Sequence, residues 1–557
     1  MKYTGAQIIV KLLERQGITM VAGIPGGANL PLYDALAESP IRHILTRHEQ
    51  GAGFIAQGMA RTTGQPAVCL ASSGPGATNL VTAVADAYMD SIPLIAITGQ
   101  VSTGMIGTDA FQETDTFGLM LPITKHNWLV RSVEELLEVI PEAFRLATSG
   151  RPGPVAIDVP KDIQQHTLDI DAWPEPVRPA APTAPDADDL QRLQGMLRNA
   201  KRPVLMVGGG IIHAGCSREI VTFAERMDLP TVASFMGLGA MPADHPLFLG
   251  MLGMHGAPYT NMVLEECDLL IGAGVRFDDR ATGKANEFCP QAAIVHIDID
   301  ASELGKIKTP SLAIRADVGE TIRRLLLEIE PVSRPLWRQR VAALQTNHPL
   351  ALPGSEDVFR PYGLLSHIAE SFAGEDVNVV TDVGQHQMWT AQAFPMQRPR
   401  QWISSGGLGT MGFGLPAAIG AALAQPERPT VCISGDGSLM MNIQELDTAV
   451  EHGLNVKIVI MNNNHLGLVR QQQALFYGAR FAAVNNRRGV DFAALAAAMG
   501  ASGYDLGKAE DPHATLSRAL REEGPCVINV PIAAEEMVLP MVPPGAANRE
   551  MITEETA

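Results

Sequence analysis

Residues 431–442 read VCISGDGSLMMN and residues 456–467 read VKIVIMNNNHLG. Each opens as an apolar run of strand length and ends in small or amide residues. Gly435–Asp436–Gly437 is a tight loop that opens a helix. There a diphosphate would meet free N–H groups and the positive end of the helix dipole. A carboxylate in the same loop repels phosphate unless a divalent cation lies between them. Mg²⁺ takes six oxygens, usually one or two carboxylates with phosphates, carbonyls and water. Asp436 offers one ligand, and the Asn462–Asn464 run offers neutral oxygens. The 27 residues from Asp436 to Asn463 hold one helix and one strand, a right-handed crossover between parallel strands. Either motif alone fits an ordinary turn equally well; the pair predicts a parallel α/β sheet with a metal–diphosphate edge.

The same rhythm recurs elsewhere. Thr4 and Gln7 form a capping-box pattern ahead of the apolar face Ile8, Ile9, Leu12 and Leu13, and Gly17 stands where the helix should stop. A strand at 66–71, a loop Ser72–Gly76, a helix at 77–88 and a strand at 92–98 follow. Proline-rich stretches at 174–185 and 331–361 read as linkers. They divide the chain into three α/β segments, 1–170, 186–345 and 360–540. VCLASSGPGATNL (68–80) resembles 431–442, a faint sign that the first and third segments are duplicates. Gly407 to Gly412 spells GxGxxG, but Ile403–Ser405 is too short and polar for the strand a dinucleotide fold needs there.

Composition excludes some classes. The chain has 557 residues, 46% hydrophobic and 18% charged, and a net charge of −18. Nucleic-acid binding requires basic surface, so no nucleic-acid partner is expected. No apolar run reaches membrane-span length and no leader-like segment precedes the first helix, so no membrane association is expected. Six scattered cysteines read as reduced core thiols of a cytoplasmic protein. In the middle segment, Gly208–Gly210 and Gly274 follow strands, with Arg276 and Arg280 close by. Strand-end glycines with arginine suit a dinucleotide's diphosphate, and Asp298 and Asp300 at a strand end suit its ribose.

The spacing GDG-x(24)-NN is the thiamine diphosphate motif, and the chain resembles the large catalytic subunits of acetolactate synthases. The resemblance spans nearly the whole length, through RHEQGAGFIAQGMAR (47–61), GTDAFQE (107–113), SGRPGPVAIDVPKDIQ (149–164), LGMHG (252–256), GVRFDDR (274–280), DVGQHQMW (382–389) and GGLGTMGFGLPAAIGA (406–421). It implies three doubly wound parallel-sheet domains: pyrimidine-binding, FAD-binding and diphosphate-binding. The implied reaction decarboxylates pyruvate and joins the two-carbon unit to a second pyruvate or to 2-ketobutyrate, in branched-chain amino-acid synthesis.

The resemblance also assigns roles. Asp436, Asn463 and the His465 carbonyl would hold Mg²⁺. Gly384, Gln385 and His386 would hold the diphosphate, and Val383, Gly437, Ser438, Leu466 and Gly467 would also bind the cofactor. Gly409 and Met411 would shape the bent cofactor, with Pro75 and Asn79 on its pyrimidine side. Glu49 would hydrogen-bond the pyrimidine N1′ and set its tautomer. Phe111, Gln112 and Lys161 would face the substrate. FAD would meet Arg151, Gly208, Gly209, Gly210, Met236 and Met254. It would also meet His255, Gly256, Gly274, Arg276, Asp278 and Arg280, and then Asp298, Ile299, Asp317 and Val318. Glu49 and Asp436 would come from different subunits, so a homodimer or tetramer is expected, with a small regulatory subunit beside it. One departure stands out: Gln472 occupies a place where many relatives carry Trp, and weak discrimination between pyruvate and 2-ketobutyrate is expected. Three rivals remain: a flavin-dependent pyruvate oxidase, another thiamine diphosphate-dependent 2-keto acid decarboxylase or carboligase, and a non-catalytic relative; intact Glu49 speaks against a glyoxylate carboligase, and intact Glu49, Asp436 and Asn463 against the third.

Overall fold

The computed structural model describes residues 1–486 and 488–553. Its first helix, Gly5–Arg15, starts as the capping pattern predicts. The Thr4 hydroxyl accepts from Gln7 N at 3.2 Å, and Gln7 Oε1 accepts from Thr4 N at 2.9 Å. Gly17 follows at φ +81°, a backbone state that glycine adopts without steric cost.

Three six-stranded parallel sheets carry the chain. The first runs Arg42–Leu45, Met20–Gly23, Ala67–Ala71, Leu94–Gln100, Val155–Pro160, His126–Leu129. The third runs Trp402–Ile403, Asn378–Thr381, Thr430–Gly435, Val456–Asn462, Cys526–Pro531, Ser502–Asp505. Numbered along the chain, both have the order 2-1-3-4-6-5. The faint sequence likeness of the two segments is therefore a likeness of topology. The central sheet runs Phe248–Met251, Thr231–Ala233, Pro203–Val207, Leu269–Ala273, Ala293–Asp298, Leu312–Arg315. Its order, 3-2-1-4-5-6, is that of doubly wound dinucleotide-binding sheets. The GxGxxG run at 407–412 instead follows the two-residue edge strand Trp402–Ile403, in a sheet of the other order.

Ligands on such sheets bind outside the strands' carboxyl ends, where the order reverses. In the third sheet that point lies between Asn378–Thr381 and Thr430–Gly435, which lead into Gly384–His386 and Asp436. In the central sheet it lies between Pro203–Val207 and Leu269–Ala273, which lead into Gly208 and Gly274.

The first and third sheets meet through two buried helices, Glu49–Thr63 and Gly414–Ala424. Gly58 lies against the Ala417 carbonyl and Gly420 against the Ile55 carbonyl, with no room for a Cβ at either. The 331–361 zone is not wholly irregular, as the sequence suggested. Pro335–Asn347 is a helix with its proline in the first turn, where the missing N–H costs nothing, and Trp337, Val341 and Leu344 bury its inner face.

Candidate active site and dinucleotide cavity

Gly435 pairs with Met461 in register, so Asp436 and Asn463 leave adjacent strand ends. Asp436 is 2% exposed, yet among the described residues neither carboxylate oxygen has a hydrogen-bond partner. Burial raises its pKa to about 6. A buried carboxylate left unpaired is costly, and a cation against it removes that cost.

The neighbouring groups converge on the same edge. His386 is buried, its Nε2 has no partner among the described residues, and burial lowers its pKa to about 3, so the ring is neutral. Its Nδ1 lies 3.0 Å from where a Cβ on Gly435 would stand. Gln385 Oε1 accepts from Asn463 Nδ2 at 3.2 Å, while Gln385 Nε2 donates to Gln471 Oε1 at 3.1 Å and to the Glu536 carbonyl at 2.7 Å. A side chain at Gly437 would strike Leu466, and one at Gly467 would strike Gln385. The Ser438 hydroxyl accepts from Gly435 N at 3.3 Å. The loop is thus stripped of side chains where a polyanion would lie against backbone, and the residues present fit a diphosphate held with a divalent cation.

The three amides divide the work. Asn463 Oδ1 accepts from His465 N at 3.0 Å, and Nδ1 of His465 bonds the Asn463 carbonyl at 2.7 Å. Asn462 Nδ2 donates to Asn529 Oδ1 at 2.9 Å, tying the strand to its neighbour. Asn464 takes the turn at φ +54°, a conformation that Asn tolerates better than most residues. Among the described residues no three His, Cys, Asp or Glu side chains converge as a metal cluster. An edge with one carboxylate, filled out by amide, carbonyl and phosphate oxygens, needs none.

Gly409, at φ +69°, and half-buried Met411 lie on the adjoining loop. Asp382 Oδ1 braces that loop by accepting from Gly412 N and from Val383 N, each at 2.8 Å. From the first domain, Asp86 and Asp90 do the same. Asp90 accepts from Gly406 N at 2.9 Å and Gly407 N at 2.7 Å, and Arg61 bridges the two carboxylates at 3.1 and 2.9 Å.

Glu49 starts its helix, and its Oε2 accepts from Asn79 Nδ2 at 2.9 Å. Pro75 opens the helix that carries Asn79. Gln112, at φ +59°, lies against Gly74, beside that same helix start. Phe111 is 87% exposed. Lys161 begins a short helix whose Asp162 accepts from Thr103 N at 3.0 Å, at the root of the loop that carries Phe111.

A cavity of about 800 Å³ opens at the switch point of the central sheet. Arg151, Gly209, Gly210, Met236, Met254, His255, Gly274 and Arg276 line it, as do Asp278, Arg280, Asp298, Ile299, Asp317 and Val318. Gly208 and Gly256 do not. Gly208 N donates to the Ala273 carbonyl, and Gly256 packs beneath Leu252. Arg151 crosses from the first domain to Asp300 at 3.3 Å and Glu303 at 2.8 Å. The volume, the glycines and the strand-end acids fit a large dinucleotide. Pro179 to Thr183, part of the linker, also wall the cavity, a role that proline content did not reveal. Gly406–Gly409 and Gln472 line its other end, so it reaches the thiamine-side loop. Glu49 and Asp436 do not line it.

Three family profiles match the chain. They are described as thiamine pyrophosphate enzyme, N-terminal TPP binding domain, at 3–119; central domain, at 190–325; and C-terminal TPP binding domain, at 382–530. The chain is 57% identical to the acetolactate synthase isozyme 1 large subunit of Escherichia coli, over 99% of this chain and 98% of that protein. It is 46% identical to the isozyme 2 large subunit, over 98% and 99%. It is 45% identical to acetolactate synthase 1, chloroplastic, of Nicotiana tabacum, over 99% and 85%.

The chain belongs to the acetolactate synthase family.

In this acetolactate synthase relative the thiamine-binding domains are the two with matched topology. Sequence reasoning missed the braces around them. Glu113 accepts from the N–H groups of Gly107 and Ala110 and so folds the loop that presents Phe111 and Gln112. Gln471, 1% exposed, holds the chain's last segment by a two-way bond to Val538 and also meets Gln385. Glu113 stands inside a quoted motif and could have been found there; Gln471 carried no signal beyond its place after the metal loop.

Proposed function

We propose that the chain is a catalytic subunit that condenses two 2-keto acids with loss of CO₂. Pyruvate is the donor and pyruvate or 2-ketobutyrate the acceptor, at the first common step of branched-chain amino-acid synthesis. The observation that carries the reading is the buried, unpartnered Asp436 carboxylate beside Asn463, in a chain alike to acetolactate synthases from end to end. The six cysteines are buried and unpaired, in keeping with a reducing cytoplasm. Among the described residues no helix is long and apolar enough to cross a membrane.

Thiamine diphosphate supplies, when bound, a carbon nucleophile and a sink for the electrons released with CO₂. The protein's part is to hold and to move protons. Asp436, Asn463 and the His465 carbonyl would hold Mg²⁺, which would offset phosphate charge. His386 and Gln385 would meet the phosphates as neutral hydrogen-bonding groups. Glu49 holds a proton at the pyrimidine N1′, and Asn79 fixes its carboxyl by the bond to Oε2. Lys161 attracts the keto acid's carboxylate, and Phe111 and Gln112 cover the reacting face. FAD would be held in the central cavity, where Gly209, Gly210 and Arg276 are among the lining residues.

The active unit is a homodimer, with Glu49 from one subunit and Asp436 from the other. Exposed apolar side chains are in keeping with it, among them Met105, Ile106, Phe111 and Leu121 on the first domain and Met440, Met441, Phe476 and Tyr477 on the third. The relatives named large subunits imply a smaller partner, which this chain would share. Acetolactate formation from pyruvate is the test, with thiamine diphosphate, Mg²⁺ and FAD each omitted in turn. Loss without thiamine diphosphate or Mg²⁺ is expected. Steady oxygen uptake with no acetolactate would instead make the chain an oxidase.

A further inference from the structure

Glu445 is wholly buried in the third domain, yet one of its carboxylate oxygens is bound by the first. Its Oε1 accepts from two consecutive peptide N–H groups, Arg47 and His48, each at 3.0 Å. Its Oε2 accepts from the Thr448 hydroxyl at 2.8 Å. These N–H groups immediately precede the helix that Glu49 opens, and His48 is its N-cap. Gly51, one turn on, has no room for a side chain because the Glu445 carboxylate stands there. Asn442, in the same segment, donates to Gln50 Oε1 at 3.2 Å and to the Gly412 carbonyl at 2.8 Å. The neighbours of Glu49 and of Met411 are thereby tied to one stretch of chain, which begins at Asp436.

We infer that Glu445 is a positioning residue for Glu49: its carboxylate sets the start of the helix and so the place at which Glu49 meets the pyrimidine ring. This rests on the role assigned to Glu49 above. A carboxylate spanning two adjacent peptide N–H groups fixes both direction and depth of the chain there, which one bond could not. The requirement is for an acceptor oxygen, which Gln also supplies. Small displacements of a proton-transfer group cost rate steeply, on the order of 100-fold for about 1 Å. In the dimer, Asp436 and Glu49 of one chain serve different sites, so the segment from Asp436 to Glu445 links the metal of one to the proton-handling group of the other.

The test uses full-length holoenzyme variants Glu445→Ala, Glu445→Gln, Gly51→Ala and Glu49→Gln at saturating thiamine diphosphate and Mg²⁺. The readouts are the C2 hydrogen–deuterium exchange rate of the bound cofactor, its Kd, and amide exchange of the Arg47–His48 peptide in the cofactor-free protein. Glu445→Ala should slow C2 exchange about 10- to 100-fold, with Kd little changed, and should deprotect the 47–48 amides. Glu445→Gln should restore both to near the parent value. Gly51→Ala pushes the carboxylate aside without deleting it and should slow C2 exchange too, although Ala suits a helix better than Gly; it carries the test if Glu445→Ala fails to fold. C2 exchange at the parent rate in Glu445→Ala or Gly51→Ala, while Glu49→Gln is slow, overturns the positioning role alone. Glu445→Gln as slow as Glu445→Ala overturns the hydrogen-bond account. Parent-rate exchange in Glu49→Gln overturns this inference together with the reading it rests on.

Discussion

The first and third sheets share one strand order and differ in what stands after the third strand. In the first, Ala67–Ala71 runs into Ser72–Gly76 and a helix that carries Asn79, with no acid in the turn. In the third, Thr430–Gly435 runs into Asp436. The carboxylate that faces the first-domain loop comes from elsewhere, Glu49, and it has a hydrogen-bond partner. The carboxylate built into the third-domain loop has none among the described residues. On the proposed reading one topology serves two ends of one cofactor, with the hydrogen-bonded acid Glu49 toward the proton and Asp436 toward the cation.

Breaking the third-domain end should have the largest effect. On the proposed reading Asp436→Ala removes the carboxylate that would ligate Mg²⁺. Mg²⁺-dependent cofactor affinity, measured by titration, should fall by more than the ~10–100-fold that outer-shell changes cost. Breaking the first-domain end should spare affinity and strike the proton. Glu49→Gln should slow C2 exchange by about 10²–10⁴-fold with cofactor still bound, and exchange at the parent rate would remove its assigned role. The amides give a finer contrast. Asn463→Ala should weaken Mg²⁺ and cofactor binding by about 10-fold or more, while Asn464→Ala changes little; equal losses would mean that the turn matters rather than the ligand. The smallest effect belongs to selectivity. Gln472→Trp should shift the product ratio toward 2-aceto-2-hydroxybutyrate by about 10-fold in a competition of the two acceptors, and an unchanged ratio would remove Gln472 from specificity.

The strand-end chemistry was legible because binding a metal–diphosphate demands particular residue types at particular spacing. Asp436 and Asn463 stand on neighbouring strands as the 27-residue interval predicts. The first helix was legible for a local reason, since Thr4 and Gln7 are three residues apart. The braces were not legible. Arg47 and Glu445 are 398 positions apart, and no local pattern marks a glutamate one of whose oxygens accepts from backbone N–H groups of another domain. The helix at Pro335–Asn347 was hidden by its flanking prolines, one of which merely occupies the first turn. The cavity's glycines and acids were visible, but the share of the 174–185 linker in its wall is a matter of where an extended chain happens to lie.

The central claim is that one site takes Glu49 from one subunit and Asp436 from another. Mixing inactive Glu49→Gln and Asp436→Ala proteins under conditions that exchange subunits tests it directly, with acetolactate formation as the readout. Each mixed dimer would contain one site with both carboxylates intact, so activity should return on mixing. A mixture that exchanges subunits and stays inactive would show that both carboxylates must come from the same chain, and would contradict the account.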